Sequence, residues 1–259
     1  MIKSMKYEFM KNRIGLLILA GIYVLLEVIF LACLPLHSER LLATSVLGFV
    51  LLSTVCQFYI FFNGISMYSR DLKEKSGYLV FMTPLSTYEI IGAKLLAILI
   101  ESLVVNILLG LTAFVDGSLA LHTFADVSWK EFFAEVTQAL SFIIDSENFY
   151  YILTTLLSML IISYVFLYTL VTVAYLSISL SATVLMNRRG RGLASFALFI
   201  VLMVVIASVI SKLPTWDVRL DGSVFGAFLY SLPQIIFMIV AAIAAYFGSA
   251  ILLDKAISL

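Results

Sequence analysis

The sequence predicts an all-α, polytopic membrane protein with six transmembrane helices. Of its 259 residues, 63% are hydrophobic and 12% charged, whereas soluble domains have roughly 45–50% apolar and about 25% charged residues. Six apolar stretches are long enough to cross a bilayer, and backbone groups in lipid must pair within a helix. These stretches cover residues 14–34, 41–67, 90–114, 150–185, 193–213 and 225–253. The chain is therefore expected to be embedded in a lipid bilayer.

Lysine and arginine residues predict the orientation of the spans. Twelve of them lie in or beside the termini, the 68–89 segment and the 188–191 turn, and four lie in the other connections. The positive-inside rule then places both termini and the 68–89 segment in the cytoplasm. The chain is read as one transmembrane domain, 1–259, with an extracellular segment at 115–149. The 14–34 stretch has the length of a retained span, which is longer than the core of a signal peptide.

Two amphipathic helices are predicted outside the spans. Residues 1–13 have apolar side chains on one face and lysines elsewhere, as in an interfacial helix, although a basic flank that only sets topology would look similar. Residues 128–144 repeat apolar side chains at helical spacing, and Ser128 and Glu131 have the spacing of a capping box. This second helix is expected to lie on the outer membrane face or to cap the mouth of a pathway; the alternative is a packing helix with no role in transport.

The sixth stretch contains a helix-start pattern in its interior. Ser231 has the character of an N-cap, Pro233 is suited to a first turn and Gln234 follows three residues after the serine. Residues 224–231 are therefore expected to form a short separate helix, with the span starting near Leu232. The alternative is one helix that is kinked at Pro233.

Composition and motifs argue against several functional classes. The net charge is zero, so no global field favours nucleic acid. The two histidines lie in predicted outer loops, and no Cys/His cluster has metal-ligand spacing. Cys33 and Cys56 lie in apolar runs and are expected to be small buried hydrophobes. Covalent catalysis by this chain is not expected, and no cofactor is predicted to bind it.

A few polar side chains lie within the predicted spans. Glu27 and Glu101 are costly at membrane depth, so they are candidates for a substrate path, a protonation switch or structural hydrogen bonds. The fourth span has a polar and aromatic face that could line a route for an amphipathic substrate or form helix contacts. Its candidate lining residues are Thr155, Ser158, Tyr164, Tyr168, Thr169 and Thr172.

The segment after the second span has a moderately specific pattern. Glu74 and Gly77 precede an apolar stretch, followed by Thr83-Pro-Leu-Ser86, Glu89-Ile-Ile and Lys94-Leu-Leu. This pattern resembles the cytoplasmic loop of ABC type-2 permeases, the membrane subunits of ATP-binding-cassette transporters. The resemblance implies a coupling helix at 68–89 on which a separate ATPase subunit docks. The docking residues would be Arg70, Asp71, Lys73, Glu74, Gly77, Tyr78, Phe81, Met82 and Pro84.

The resemblance also implies an assembly and a location. Two copies of the chain, or this chain with a related permease, would form the pathway in the bacterial inner membrane. ATP and magnesium would bind the partner ATPase. Small bacterial members of this shape are similar to exporters of antimicrobial or cytolytic peptides, including the phenol-soluble-modulin type. Two departures are the long 115–149 segment and a fifth-to-sixth connection that is short for lipopolysaccharide exporters.

Energy for transport would have to come from outside this chain, because it has no Gly-x-x-x-x-Gly-Lys-Ser/Thr loop for ATP. Two alternatives remain open. One is an ion-coupled secondary transporter that uses Glu27 and Glu101. The other is a non-transporting membrane scaffold or immunity protein.

Overall fold

The protein is described here from a computed structural model that covers residues 2–73, 86–124, 128–144, 148–184, 190–214 and 224–257. These residues form eight α-helices and no strand. The helices are α1 (Ile2–Leu36), α2 (Glu39–Lys73), α3 (Thr87–Phe124), α4 (Trp129–Ile144), α5 (Asn148–Val184), α6 (Arg191–Ile210), α7 (Val224–Tyr230) and α8 (Leu232–Ile257). Six of them are long and apolar enough to cross a membrane: α1, α2, α3, α5, α6 and α8. The predicted all-α, multi-pass fold class is confirmed.

Two helices extend further than the sequence analysis expected. Residues 2–13 are helical, and they continue without a break into the first span as part of α1. The third span continues to Phe124, past its predicted end at residue 114, and so takes in the start of the segment predicted to be extracellular. Asp116 therefore lies within α3 and not in a loop.

The connection between α1 and α2 is a tight turn. His37 has a φ of 46°, in the left-handed region that often ends a helix. The hydroxyl of Ser38 accepts a hydrogen bond from the N–H of Leu41 at 3.5 Å, and its carbonyl accepts one from Leu42 at 3.0 Å. Ser38 thus serves as the N-cap of α2.

The helix start predicted at Ser231 separates α7 from α8. The N–H groups of Gln234 and Ile235 donate to the Ser231 carbonyl, each at 3.0 Å. The Ser231 hydroxyl donates to the carbonyl of Phe228, near the end of α7, at 3.1 Å. The prediction of a short separate helix is confirmed, and the single kinked helix is not observed.

The chain divides into two compact units, and the first contains Met1–Ile2, Gly64–Leu95 and Glu147–Leu259. We call it the α5 unit, because α5 packs against α8, α6 and α7. Its core includes Tyr68 from α2, Ile91 from α3 and Tyr175 from α5, all almost fully buried. By contrast α6 leaves large apolar side chains uncovered, with Leu193 78% exposed, as expected of a surface that faces lipid.

The second unit contains Lys3–Asn63 and Leu96–Ser146. We call it the α1 unit, since it contains nearly all of α1, most of α2 and α3, and α4. Phe30, Leu52 and Ile60 lie in its core. Cys33 and Cys56 are free and buried, as predicted.

Candidate functional site

The candidate site begins where α2 ends and α3 starts, on either side of residues 74–85. We call residues 64–73 and 86–95 the segment base, and both parts belong to the α5 unit. Lys94 Nζ lies 2.5 Å from Asp71 Oδ2, and the two side chains are 1% and 2% exposed. Lys94 also donates to the carbonyl oxygen of Met67 at 3.4 Å. A buried, hydrogen-bonded ion pair therefore joins the last turns of α2 to α3.

Tyrosine side chains connect the segment base to α5. The ring of Tyr68 stacks on that of Tyr175, with centroids 4.4 Å apart and planes 22° from parallel. The Tyr68 hydroxyl lies 2.5 Å from the Ser179 hydroxyl, and the Tyr175 hydroxyl donates to the Gly64 carbonyl at 2.9 Å. These contacts are buried, so they hold the end of α2 against α5 in a medium where polar groups have few other partners.

The start of α3 is held in the same way. The hydroxyl of Tyr168 on α5 donates to the Leu95 carbonyl at 2.9 Å. The hydroxyl of Tyr246 on α8 donates to the Tyr88 carbonyl at 2.8 Å. Two helices of the α5 unit thus contact the first turns of α3.

A reciprocal capping box fixes the point at which the chain enters α3. Glu89 Oε2 accepts hydrogen bonds from the Ser86 N–H at 2.9 Å and from the Ser86 hydroxyl at 3.2 Å. The Ser86 hydroxyl in turn accepts from the Glu89 N–H at 3.2 Å. Sequence analysis used Ser86 and Glu89 only for the family pattern, although their spacing is that of a capping box.

The predicted docking residues fall into three groups. Arg70 lies in α2 and its Nε donates to the hydroxyl and carbonyl of Ser66, at 3.1 and 3.4 Å. Asp71 is buried and its carboxylate forms an ion pair with Lys94; its role in docking stays a prediction. Lys73 is the last residue of α2. The remaining predicted docking residues lie outside the described residues: Glu74, Gly77, Tyr78, Phe81, Met82 and Pro84.

The predicted pathway residues of α5 mostly make helix contacts. The hydroxyls of Ser158 and Thr172 donate to carbonyls within α5, and that of Thr169 bonds its own helix and the Met238 carbonyl of α8. Tyr164 is half-buried, and Tyr168 reaches α3 as described above. Thr155 Oγ1 is buried without a hydrogen-bond partner among the described residues. The lining role of this face stays a prediction.

Glu101 is the centre of a buried polar network in the α1 unit. Its two carboxylate oxygens accept from the side-chain amides of Asn12 at 3.1 Å and Asn63 at 3.2 Å. The other end of the Asn12 amide accepts from the Tyr59 hydroxyl at 2.7 Å. The network supplies the hydrogen bonds that a carboxylate needs at this depth, which agrees with the structural role left open for Glu101.

Glu27 has a partner that the sequence did not reveal. Its carboxyl contacts that of Asp116 on α3. Sequence analysis placed Asp116 in the outer segment, because the third apolar stretch was expected to end at residue 114. The helical continuation to Phe124 brings the two acids together, 89 residues apart in the chain.

The amphipathic helix α4 begins with the predicted capping box. The Ser128 N–H and hydroxyl donate to Glu131 Oε2 at 2.9 and 2.8 Å, and these hydrogen bonds lower the pKa of Glu131 below its ordinary value. Phe132 is buried beside Phe114 of α3, with ring centroids 6.1 Å apart. Its neighbour Phe133 is 57% exposed. The apolar face of α4 is therefore only partly covered within the described chain.

No group of three or more His, Cys, Asp or Glu side chains is placed to hold a metal ion in the part of the chain that the structure describes. Comparisons of the chain with family models, with curated proteins and with solved structures find no match.

Proposed function

We propose that this chain is the membrane subunit of an ABC exporter, driven by a separate ATPase subunit that docks on the 68–89 segment. The observation that carries the proposal is the buried Asp71–Lys94 ion pair. It joins the two helices on either side of residues 74–85. A segment anchored in this way at both ends can pass a displacement to the membrane helices.

The contacts of the segment base would carry a displacement into the membrane helices. Packed interiors resist compression and transmit strain. A force on residues 74–85 would act on α2 through Asp71 and on α3 through Lys94 and the Ser86–Glu89 cap. Tyr68 would transfer the displacement from α2 to α5 through its stack on Tyr175. The connected helices are the ones that would have to move to open a path.

The rest of the proposal depends on the resemblance to ABC type-2 permeases. The ATPase would bind ATP and magnesium, and its closure would supply the force. Two copies of this chain would enclose the path in a bacterial inner membrane. The apolar surface left open on α6 supplies an area for lipid or a second copy. The substrate would be hydrophobic or amphipathic, with a peptide favoured.

Affinity purification tests the partner. The chain would be isolated in mild detergent from its native membrane and the bound proteins identified by mass spectrometry, with ATP hydrolysis measured on the eluate. We expect a P-loop ATPase with the wild type and its loss with Tyr78→Asp or Phe81→Asp. Tyr230→Asp is the matched control, since Tyr230 lies on α7 and is 39% exposed.

Other results would favour the alternatives. A chain that is isolated alone but accumulates substrate in proteoliposomes under an ion gradient would support secondary transport through Glu27 and Glu101. A chain that binds an ATPase and moves no substrate would support a scaffold or immunity protein. Either result would contradict the exporter proposal.

A further inference from the structure

Two exposed amides lie halfway along the membrane spans of α2 and α3. The α2 span covers Arg40–Leu72 and the α3 span Thr87–Phe124, so Gln57 and Asn106 lie close to their midpoints. Among the asparagine and glutamine residues of the described spans, only these two are exposed. An amide that faces hydrocarbon at this depth is costly, because no water is present to bond it. The surface that carries both amides is therefore expected to face polar groups.

The two amides bond each other and keep capacity for further hydrogen bonds. Gln57 Nε2 donates to Asn106 Oδ1 at 2.5 Å, which links α2 to α3 within the α1 unit. Among the described residues, this is the only hydrogen bond of the Gln57 side chain. A glutamine amide has two N–H donors and an oxygen with two lone pairs. One donor and the oxygen of Gln57 can thus bond a partner, and a lipid chain offers nothing to either group.

A groove between α2 and α3 starts one helical turn from the amide pair. Its volume is about 360 Å³, and its wall includes Val46, Val50, Ser53, Leu109, Ala113 and Gly117. Val46 and Val50 are 51% and 57% exposed, so the groove opens to the outside of the unit. A mostly apolar groove that ends at two amides matches an apolar helix with a polar group at its middle.

Small residues on α3 leave room for such a helix to come close. Gly110, Ala113 and Gly117 follow Asn106 at intervals of four, three and four residues, which places all four on one face of α3. All four are exposed, and a methyl group added at Gly110 or Gly117 would meet nothing within 4 Å. Small residues let the backbones of membrane helices approach, and amides hydrogen bond across such contacts.

A second copy of this chain supplies a matching helix at the correct depth. In a twofold-symmetric pair both subunits use the same surface, and an axis along the membrane normal brings equal depths together. Gln57 of each copy would then meet the amides of the other, and two amides are complementary because each both donates and accepts. The exposed middle of α6 has no such group, since Ile200, Val201 and Val204 are apolar and suit lipid.

We propose that two copies of this chain associate through the α2–α3 face around Gln57, Asn106 and Gly110. The inference rests on the proposed function for the presence of two copies, and it names the surface that joins them. The amides hold the contact at the middle of the membrane, and the small residues of α3 set how closely the helices approach.

Association of the purified chain in liposomes tests this surface. Chains that carry one fluorophore each would be counted by single-molecule photobleaching over a range of protein-to-lipid ratios, with no ATPase present. We expect wild type to dimerise and Gly110→Leu to weaken the association at least tenfold. A side chain at this position has open space in one copy, whereas it would lie between two copies in the pair. The helix content of the variant, measured by circular dichroism, should match that of wild type.

The amides are tested in the same assay. We expect the double variant Gln57→Leu and Asn106→Leu to weaken association at least tenfold. Gly21→Leu is the control for added bulk, since Gly21 on α1 also has open space. Thr54→Val is the control for a lost polar group, because that exposed hydroxyl donates to a carbonyl of its own helix. Both controls should associate as wild type does.

Cysteine crosslinking locates the contact. In a chain with Cys33→Ala and Cys56→Ala, Gln57→Cys would be treated in membranes with a short bifunctional thiol reagent. Val201→Cys is the control, since Val201 is 56% exposed near the middle of α6. We expect a covalent dimer with the cysteine at position 57 and none with the cysteine at position 201.

Several results would overturn the proposal. One is a wild type that stays monomeric at every protein-to-lipid ratio, and another is unchanged association in Gly110→Leu. Crosslinking at position 201 in place of position 57 would put α6 between the copies. A thiol at position 57 that reacts with a water-soluble maleimide and forms no dimer would indicate a water-lined path and no contact between copies. Each result leaves ATPase docking intact, because the affinity purification tests it separately.

Discussion

At the scale of single residues, the chain pairs its buried charges in three different ways. Lys94 forms an ion pair with Asp71, Glu101 accepts from two asparagine amides, and Glu27 meets a second acid. Isolated charges at this depth are costly. The lysine and the two amides lower that cost, whereas Glu27 and Asp116 each keep one buried carboxyl oxygen without a hydrogen-bond partner among the described residues.

The ion pair leads to the first prediction. Lys94→Met leaves Asp71 buried without its cation, and breaking a buried pair in this way costs about 3–5 kcal/mol. Asp71→Leu with Lys94→Met removes both charges and should recover most of that loss, since an apolar pair of similar volume is often neutral. Equilibrium unfolding in mixed detergent micelles measures both. A single variant as stable as wild type would show that the pair is not structurally important.

The sequence alone singled out Glu27 and Glu101, but it did not indicate which side chains they contact. Glu27 and Glu101 could be selected because an acid within an apolar run is rare. Their partners lie far away in the chain: Asp116 is 89 residues from Glu27, and Asn12 is 89 from Glu101. Contacts between residues so far apart in the chain cannot be predicted from a single sequence. Asp71 and Lys94 are closer in sequence, but whether they meet depends on which faces of α2 and α3 pack together.

At the scale of helices, the sequence predicted helix starts correctly, but it placed the end of α3 too early. The capping box at Ser128 and the break at Ser231 depend on neighbouring residues, and both are confirmed. The continuation of α3 to Phe124 was missed, because Asp116 and Gly117 look like the end of a span. Asp116 is buried there, and its carboxyl contacts that of Glu27.

A close approach of α1 and α2 leads to the second prediction. A methyl group at Gly15 would overlap the hydroxyl of Tyr59. Displacing that ring would break its hydrogen bond to Asn12. We expect Gly15→Ala to destabilise the protein by about 1–3 kcal/mol, as overpacking does. Gly21→Ala is the control on the same helix, where nothing lies within 4 Å and the change should be neutral or stabilising.

Thermal unfolding of the two purified variants would decide this point. Equal melting temperatures for Gly15→Ala and Gly21→Ala would mean that Tyr59 moves aside freely, and the packing described for α1 and α2 would be wrong.

The cap of α4 leads to a pH-dependent prediction. Hydrogen bonds from Ser128 lower the pKa of Glu131 from its ordinary value of 4.5. Stabilisation by ionised Glu131 is therefore present above that value and is lost as pH falls through the lowered pKa. Ser128→Ala should speed hydrogen exchange in the first turn of α4 near pH 7, and the difference from wild type should shrink near pH 3.

Mass-spectrometric hydrogen exchange at matched pH compares wild type with the variant. Thr137→Ala serves as the control, since that hydroxyl only donates to the Phe133 carbonyl within α4. A difference between wild type and Ser128→Ala that stays constant with pH would contradict the role of Glu131.

At the scale of the whole molecule, the proposed function depends on force that passes through the segment base. Gly77→Ala or Pro84→Ala should leave ATP hydrolysis in a reconstituted complex and reduce transport of a labelled amphipathic peptide into inside-out vesicles. The reason is that both residues lie in the segment whose shape would carry the motion. Gly192→Ala is the control, since a methyl group there meets nothing within 4 Å. Unchanged transport in both variants would count against the docking hypothesis.

Site-specific photo-crosslinking tests the central claim most directly. A photoreactive amino acid would replace Tyr78 in one variant and Leu193, which is 78% exposed on α6, in a control. Both would be irradiated in native membranes and the adducts identified by mass spectrometry. The account predicts that position 78 crosslinks to a P-loop ATPase and that position 193 does not. A position 78 that captures only lipid, or only another copy of this chain, would contradict it.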